Sequence, residues 1–292
     1  MTDDPFVAHR RLLFTVAYEM LGSAADAEDV VQETWLRWAD LGADSRSDVR
    51  DTRAYLVRVV TRQALNRLRS TARRREDYVG EWLPEPLLIS PDVAQDVELA
   101  ESVSFAMLTV LETLGPTERA VFVLREVFDT SYDEIAATVG KTPSAVRQVA
   151  HRAREHVAAR RPRHPVSRAE QAQVVERFLA AVRGGDLQGL LDVLAPDVVV
   201  VADGGGVVAA ARRPIEGADR VAAFLETLAR LASGFEVRPM WLNGGPAARV
   251  DLGGELNTVM SLVIEGSQIS RIYAVRNPHK MARLDAVTAL SR

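Results

Sequence analysis

The sequence predicts a multidomain chain: two all-α units, the second built around a helix-turn-helix, then an α+β domain with helices packed on a curved sheet. Three observations predict it. Residues 131–155, SYDEIAATVGKTPSAVRQVAHRARE, carry the caps and glycine turn of a helix-turn-helix whose second helix is cationic. Arginine is concentrated in two helical blocks. Beyond residue 161 the helical period gives way to alternating, strand-like segments.

Taken in order, Phe6, Leu12, Leu13, Val16, Ala17, Met20 and Leu21 recur at a helical period, and Gly22-Ser23 ends that helix. Ser23 or Asp26 can cap the next, which runs through DAEDVVQETWLRWADL. Arg53 to Arg69 forms a third helix with Tyr55, Leu56, Val59, Val60, Ala64, Leu65 and Leu68 inward. Residues 80–92 hold three prolines and read as an extended linker. A long amphipathic helix, a break at Gly115-Pro116 with a cap at Thr117, and a further helix lead to the helix-turn-helix. There Ser131 caps the first helix, Gly140 turns the chain, and Thr142 with Pro143 opens the second helix. After the basic joint RRPRHPVSR, helices are expected at 169–183 and 186–194. Strands DVVVVAD, FEVRPMWL, ELNTVMSLVIEG and QISRIYAVRN follow as several antiparallel strands, with a helix at 218–232 after the first. The expected units are 1–75, the linker 76–92, 93–160, a second linker 161–168, and 169–292.

Composition narrows the function. The 292 residues contain no cysteine, which excludes disulfides, thiol catalysis and thiolate metal sites. No apolar run approaches the roughly 20 residues of a membrane span. The N-terminus does not resemble a secretory signal, so a cytoplasmic location is expected. The net charge of −4 hides a block pattern. Residues 46–75 hold ten arginines against Asp48 and Asp51, and residues 141–163 hold seven Lys or Arg against Glu155. Between them, residues 76–118 hold ten acids and no Lys or Arg. Two cationic bodies joined by an acidic segment suit two polyanion contacts. Outward on the second helix of the helix-turn-helix lie Lys141, Ser144, Arg147, Gln148, His151 and Arg152, the chemistry that reads base edges and phosphates in a major groove.

Asp26-Ala27-Glu28-Asp29-Val30-Val31-Gln32-Glu33-Thr34-Trp35, followed by the arginine helix and the helix-turn-helix, resembles the extracytoplasmic-function group of bacterial sigma factors over residues 6 to about 160. The resemblance implies an alternative sigma factor that directs RNA polymerase core to a small promoter set. It implies that Asp26, Asp29, Gln32, Glu33 and Trp35 meet the polymerase clamp helices, an acidic stripe suited to arginine-rich partners. It places minus-ten promoter DNA against Arg58, Arg62, Asn66, Arg67, Arg69, Arg73 and Arg74, which offer cations for phosphates and an amide for an unstacked base. It places the minus-thirty-five element against Lys141, Thr142, Ser144, Arg147, Gln148, His151 and Arg152, with Ser144, Arg147 and Gln148 as the base-reading candidates.

The last 130 residues resemble a SnoaL-like domain, a cone-shaped α+β fold shared with polyketide cyclases and ketosteroid isomerase-like enzymes. A subgroup of these sigma factors carries such an extension, and members are thought to dispense with a separate anti-sigma protein. Trp82-Leu83-Pro84-Glu85-Pro86, Asp203-Gly204-Gly205-Gly206 and Asn277-Pro278-His279-Lys280-Met281 carry that likeness, with departures at Val207 and His279. Trp82, Leu83, Pro84, Glu85, Pro86, Asp203, Gly204, Asn277 and Pro278 are expected to regulate between domains: the extension grips the stiff, aromatic-anchored linker. No catalytic residue, metal or cofactor is expected. The alternative is a helix-turn-helix regulator fused to a ligand-binding or isomerase-like domain, with an unknown small molecule in the cone and Asp203, Asp251, Glu255, Glu265, Trp241 or Tyr273 as pocket groups.

Overall fold

A computed structural model describes residues 4–90, 96–160, 166–231 and 234–292, the side chains of 43–44, 72–76 and 231 excepted. The basic joint placed at 161–168 lies largely outside these residues.

The N-terminal unit packs α1 (Pro5–Leu21), α2 (Ala24–Ala39) and α4 (Thr52–Glu76), with short α3 (Ala43–Ser47) between the last two. Asp4 caps α1 through the Phe6 N–H, and Ser23, not Asp26, caps α2. The arginine helix runs to residue 76, seven residues past the expected end. Leu56, Val60, Ala64, Leu65 and Leu68 are buried as the period requires, and Tyr55 packs at the core edge 5.9 Å from the Trp38 ring.

The linker carries β1 (Leu88–Ile89). In place of one long helix, α5 (Val97–Ser102) and α6 (Phe105–Glu112) are separated where Ser104 accepts the Met107 N–H at 3.2 Å and starts a new helix. α7 (Pro116–Phe122) is capped at Gly115, not Thr117, with Pro116 at its first position, and passes into a π turn at Val123–Val127. The helix-turn-helix is α8 (Tyr132–Val139) and α9 (Pro143–Ala158), joined at Gly140 in the left-handed region (φ 69°).

The C-terminal unit comprises α10 (Arg168–Gly184), α11 (Leu187–Val193), β2 (Leu194–Asp203), β3 (Ile215–Glu216), α12 (Ala218–Leu231), β4 (Phe235–Leu242), β5 (Gly245–Leu252), β6 (Glu255–Glu265), β7 (Gln268–Val275), α13 (Pro278–Met281) and β8 (Val287–Thr288). Its sheet is ordered β3-β2-β7-β6-β5-β4. The expectation of antiparallel pairing fails at its centre: β2 and β7 run parallel, Val200 opposite Ile272, because a long crossover separates them in the chain. β5 lacked a sequence counterpart.

Core packing joins the units. Phe178, Leu179, Val182, Leu190 and Leu225 fill the space between the cone helices and the inner sheet face. The outer face is covered as well: Val259, Val263, Tyr273 and Val275 pack with Leu83 of the linker and Phe105 of α6. The two helical units share one apolar cluster, from Leu13 and Val60 to Leu108, Val121 and Val146, which Leu87 and Leu290 join.

Candidate nucleic-acid interface and the clamped linker

The second helix of the helix-turn-helix is built to be presented. Ser131 and Glu134 cap α8 reciprocally, and the Thr142 hydroxyl accepts the Ala145 N–H at 3.2 Å to start α9. Val146, Val149, Ala150, Ala153 and Val157 are buried, which turns Lys141, Thr142, Ser144, Arg147, Gln148, His151 and Arg152 to the exposed side. The Arg147 guanidinium lies 5.5 Å from the centroid of the Tyr132 ring, a cation–π contact that orients the end of the side chain. Arg152 is 4.0 Å from Glu118 and His151 is 3.5 Å from Glu155.

On the N-terminal unit the two expected surfaces meet. Arg67 pairs with Asp26 at 3.0 Å and with Asp29, and Gln63 donates to Glu33 at 2.9 Å. Two acids of the stripe are therefore paired with a single arginine of α4 within the unit. Trp35 is 44% exposed beside a groove between α1 and α2 that Phe6, Val7 and Gln32 also line. Such a large exposed aromatic suits a protein partner more than the core. On α4, Arg58, Arg62, Asn66 and Arg69 are exposed, with Arg58 5.6 Å from the Tyr55 ring. Arg62 is occupied: it donates to the carbonyls of Ala137 (2.7 Å) and Thr138 (3.2 Å) at the end of α8. The side chains of Arg73 and Arg74 lie outside the described residues.

The linker is held from both sides. The Glu85 carboxylate accepts the N–H groups of Ala24 (2.8 Å) and Ala25 (3.2 Å) at the start of α2, where the helix dipole favours a negative charge. Its N–H donates to Gly22, and its carbonyl accepts the Tyr18 hydroxyl at 2.7 Å. Burial pushes the Glu85 carboxyl up despite these donors. Gly22 is left-handed (φ 64°), and a Cβ there would meet the Trp82 ring at 2.8 Å. From the cone side, Asp203 is fully buried and accepts from the Leu83 N–H (2.9 Å), the Tyr78 hydroxyl (2.7 Å), Lys280 Nζ (2.7 Å) and the Gly205 N–H (2.9 Å). Lys280 Nζ also donates to the Leu83 carbonyl and lies 4.0 Å from the Trp82 ring centroid. Asn277 caps α13 and donates to Tyr78 at 3.0 Å. A Cβ on Gly205 would lie 2.2 Å from the Asn277 amide. Pro84, Glu85 and Pro86 are buried, Gly204 turns beside Val208, and Pro278 opens α13. Burial raises the Tyr78 hydroxyl above its ordinary range, as does its bond to Asp203.

Three participants escaped the sequence reasoning as site residues: Tyr78, Lys280 and Asn243. Asn243 sits in the left-handed region at the β4–β5 turn, exchanges two bonds with the Leu87 backbone, and donates to the Tyr18 hydroxyl and the Val103 carbonyl. The Asn-Gly pair at 243–244 is a hairpin signal that would have found both this residue and β5. The candidate pocket groups do not converge. Asp251 is tied to Arg238 and Arg249 outside the cone core, Trp241 is 38% exposed under Arg168, and Tyr273 faces the outer-face cluster.

A cationic helix-turn-helix, an arginine helix backed by an acidic stripe, and a linker clamped between the N-terminal unit and the cone mark a promoter-reading transcription factor. The chain matches the family models for Sigma-70 region 2 over residues 6–74, Sigma-70 region 4 over 104–157 and the SnoaL-like domain over 175–253. It is 42% identical over 226 residues to the ECF RNA polymerase sigma factor SigJ of Mycobacterium tuberculosis (strain ATCC 25618 / H37Rv), covering 75% of this chain and 70% of that one. It is 36% identical over 286 residues to the "Probable ECF RNA polymerase sigma factor SigI" of Mycobacterium tuberculosis (strain CDC 1551 / Oshkosh), covering 96% and 94%. The crystal structure of Mycobacterium tuberculosis SigJ superposes with a TM-score of 0.78 at 33% identity, covering 96% of this chain and 98% of that one. The chain belongs to the extracytoplasmic-function sigma factors of RNA polymerase. It is an alternative sigma factor with a C-terminal SnoaL-like domain, and its partners are the polymerase core and promoter DNA. No helix among the described residues is long and apolar enough to cross a membrane.

Proposed function

We propose that this arrangement is the closed, promoter-incompetent state of the sigma factor, and that the SnoaL-like domain holds it closed by gripping the linker. The observation that carries the reading is the pair of hydrogen bonds from Arg62 to the carbonyls of Ala137 and Thr138. An arginine assigned to minus-ten DNA cannot reach that DNA while it caps the end of α8. The shared core of the two helical units supports the same view, because two promoter elements cannot be read by bodies packed into one. In the open state Asp26, Asp29, Gln32, Glu33 and Trp35 contact the clamp helices. Arg58, Arg62, Asn66, Arg67 and Arg69, with Arg73 and Arg74, hold the opened minus-ten strand. The exposed face of α9 reads the minus-thirty-five element. The work is done beside the polymerase, in the cytoplasm.

The cone carries no catalysis in this reading. The carboxylate best suited to act as a base, Asp203, has its oxygens taken by four donors, and apolar side chains pack between the cone helices and the sheet. In vitro transcription with core compares the intact chain with versions lacking 168–292 or 277–292. Higher output from the shorter chains is expected; equal or lower output from both contradicts the closed-state reading.

A further inference from the structure

The π turn at Val123–Val127 and the residues after it interrupt regular helix just ahead of the helix-turn-helix. Asp129 stands there in the left-handed region (φ 47°), a conformation that a non-glycine residue keeps only where its surroundings enforce it. That backbone brings two acceptors to Arg125: the Asp129 carboxylate lies 2.9 Å from its guanidinium, and the Thr130 carbonyl accepts from it at 3.1 Å. So held, the Arg125 guanidinium sits over the Tyr132 ring, 5.1 Å from the centroid. Tyr132 opens α8 and packs, half-buried, against the core that the helical units share.

The same ring carries the Arg147 guanidinium at 5.5 Å. In this Arg147 differs from its basic neighbours on α9. Arg152 and Arg154 each have a carboxylate nearby, Glu118 at 4.0 Å and Glu126 at 3.7 Å. Exposed Arg147 has the face of an aromatic ring in that place. The difference is chemical. A carboxylate occupies the N–H rim of a guanidinium, whereas a ring under its face leaves that rim open, and two of those N–H groups are what the guanine edge takes in a major groove. A guanidinium whose plane is already set also loses less rotamer freedom on binding. Two bare cations over one ring would repel each other, and the Asp129 carboxylate offsets the charge of Arg125.

We infer that Tyr132, fixed by Arg125 and Asp129, is the positioning residue for Arg147: it sets the plane of that guanidinium, and with it the discrimination at one base pair of the minus-thirty-five element. The inference rests on the proposed reading in which the exposed face of α9 reads that element and Arg147 meets a base edge. It adds three residues outside the exposed face of α9 to the determinants of specificity, and none of the three needs to touch DNA.

The test uses the holoenzyme, polymerase core with the full chain. Promoter duplexes selected from a pool randomised across the upstream element are remade with every single base-pair substitution, and binding to each is measured. Arg147→Ala locates its base pair by lowering preference there about fivefold or more. Tyr132→Leu keeps an apolar side chain but removes the π face. It should lower preference at that same base pair about two- to fivefold, with the other positions and the salt slope unchanged. Tyr132→Phe should keep the preference, and Tyr132→Leu added to Arg147→Ala should cost nothing further at that pair. Asp129→Gly relieves the backbone and releases Arg125, and should lower the same preference about twofold. It decides the matter if Tyr132→Leu does not fold: an unchanged profile then overturns the inference. Preference at that pair that is kept in Tyr132→Leu, lost evenly at every position, or lost equally in Tyr132→Phe also overturns it, while Arg147 stays a base reader. A profile for Arg147→Ala like that of the natural chain removes base reading by Arg147, and the inference falls with it.

Discussion

Asp203 and Lys280 form an ion pair of 2.7 Å that is 0% and 12% exposed, and it is joined across the linker backbone: Asp203 accepts the Leu83 N–H and Lys280 donates to the Leu83 carbonyl. One residue of the linker is thus held at both its polar groups by a single charge pair from the cone, with Trp82 lying under the ammonium. The pair's worth lies in what it positions, since a buried pair repays little more than its own desolvation.

Lys280→Met leaves Asp203 buried and uncompensated and should weaken cone–linker docking by roughly 3–5 kcal/mol. Hydrogen exchange at the Leu83 and Glu85 amides measures it, with faster exchange expected while the cone stays folded. Asp203→Asn added to Lys280→Met should cost less than the sum of the singles. Unchanged exchange at Leu83 would show that the apolar packing of Leu83 alone holds the linker.

Glu19 gives the folded chain a pH dependence of definite sign. Its folded value of about 8 stands above the ordinary 4.5, so between these limits the folded chain keeps a proton that the unfolded chain has lost. The stabilisation is complete below about 4.5 and falls by roughly 1.4 kcal/mol per pH unit as pH rises to about 8. Urea midpoints at pH 5.5, 6.5 and 7.5 should decline more steeply for the natural chain than for Glu19→Gln, which cannot titrate.

Much of this was legible in the sequence for physical reasons that can be named. The helix-turn-helix is written in local chemistry, with Ser131, Gly140, Thr142 and Pro143 each setting a backbone state on their own. A grip on the linker was expected from Trp82 and its prolines, but the residues that hold it were not. Lys280 and Asn243 act 197 and 156 residues away from the backbone they hold, and no local period records that distance. The two-sided burial of the sheet was visible in part: an amphipathic edge would alternate, whereas 259–264 (VMSLVI) is buried throughout. Parallel pairing of β2 with β7 leaves no short-range signal. The joining of Asp26 and Asp29 to Arg67 went unseen because each surface was assigned to an outside partner.

On the proposed reading, base-reading and phosphate-gripping residues of the helix-turn-helix should separate by salt. Arg147→Ala or Gln148→Ala should cost about 1–3 kcal/mol at one base pair and relax preference there, with the salt slope nearly unchanged for Gln148. Lys141→Ala should weaken all sequences alike and reduce the slope by about one. Binding to duplexes bearing single substitutions, at two salt concentrations, gives both readings; equal loss across every sequence for Gln148→Ala would move it to the phosphate group.

Arg62 carries two demands that a single substitution sets in opposition. In this structure it donates to Ala137 and Thr138; on the proposed reading it holds minus-ten DNA once the helical units part. Arg62→Ala removes two charge-assisted bonds at an exposed seam, a loss of about 1–2 kcal/mol, and so shifts the closed-to-open ratio about five- to thirtyfold. Energy transfer between α4 and α9 should fall in the free chain, while promoter opening by the holoenzyme also falls because the same cation is missing from the single strand. Removing the cone from the Arg62→Ala chain should then add little further opening but leave the melting defect in place. Unchanged transfer with normal promoter opening would remove Arg62 from both roles, and the closed state would rest on its apolar core alone.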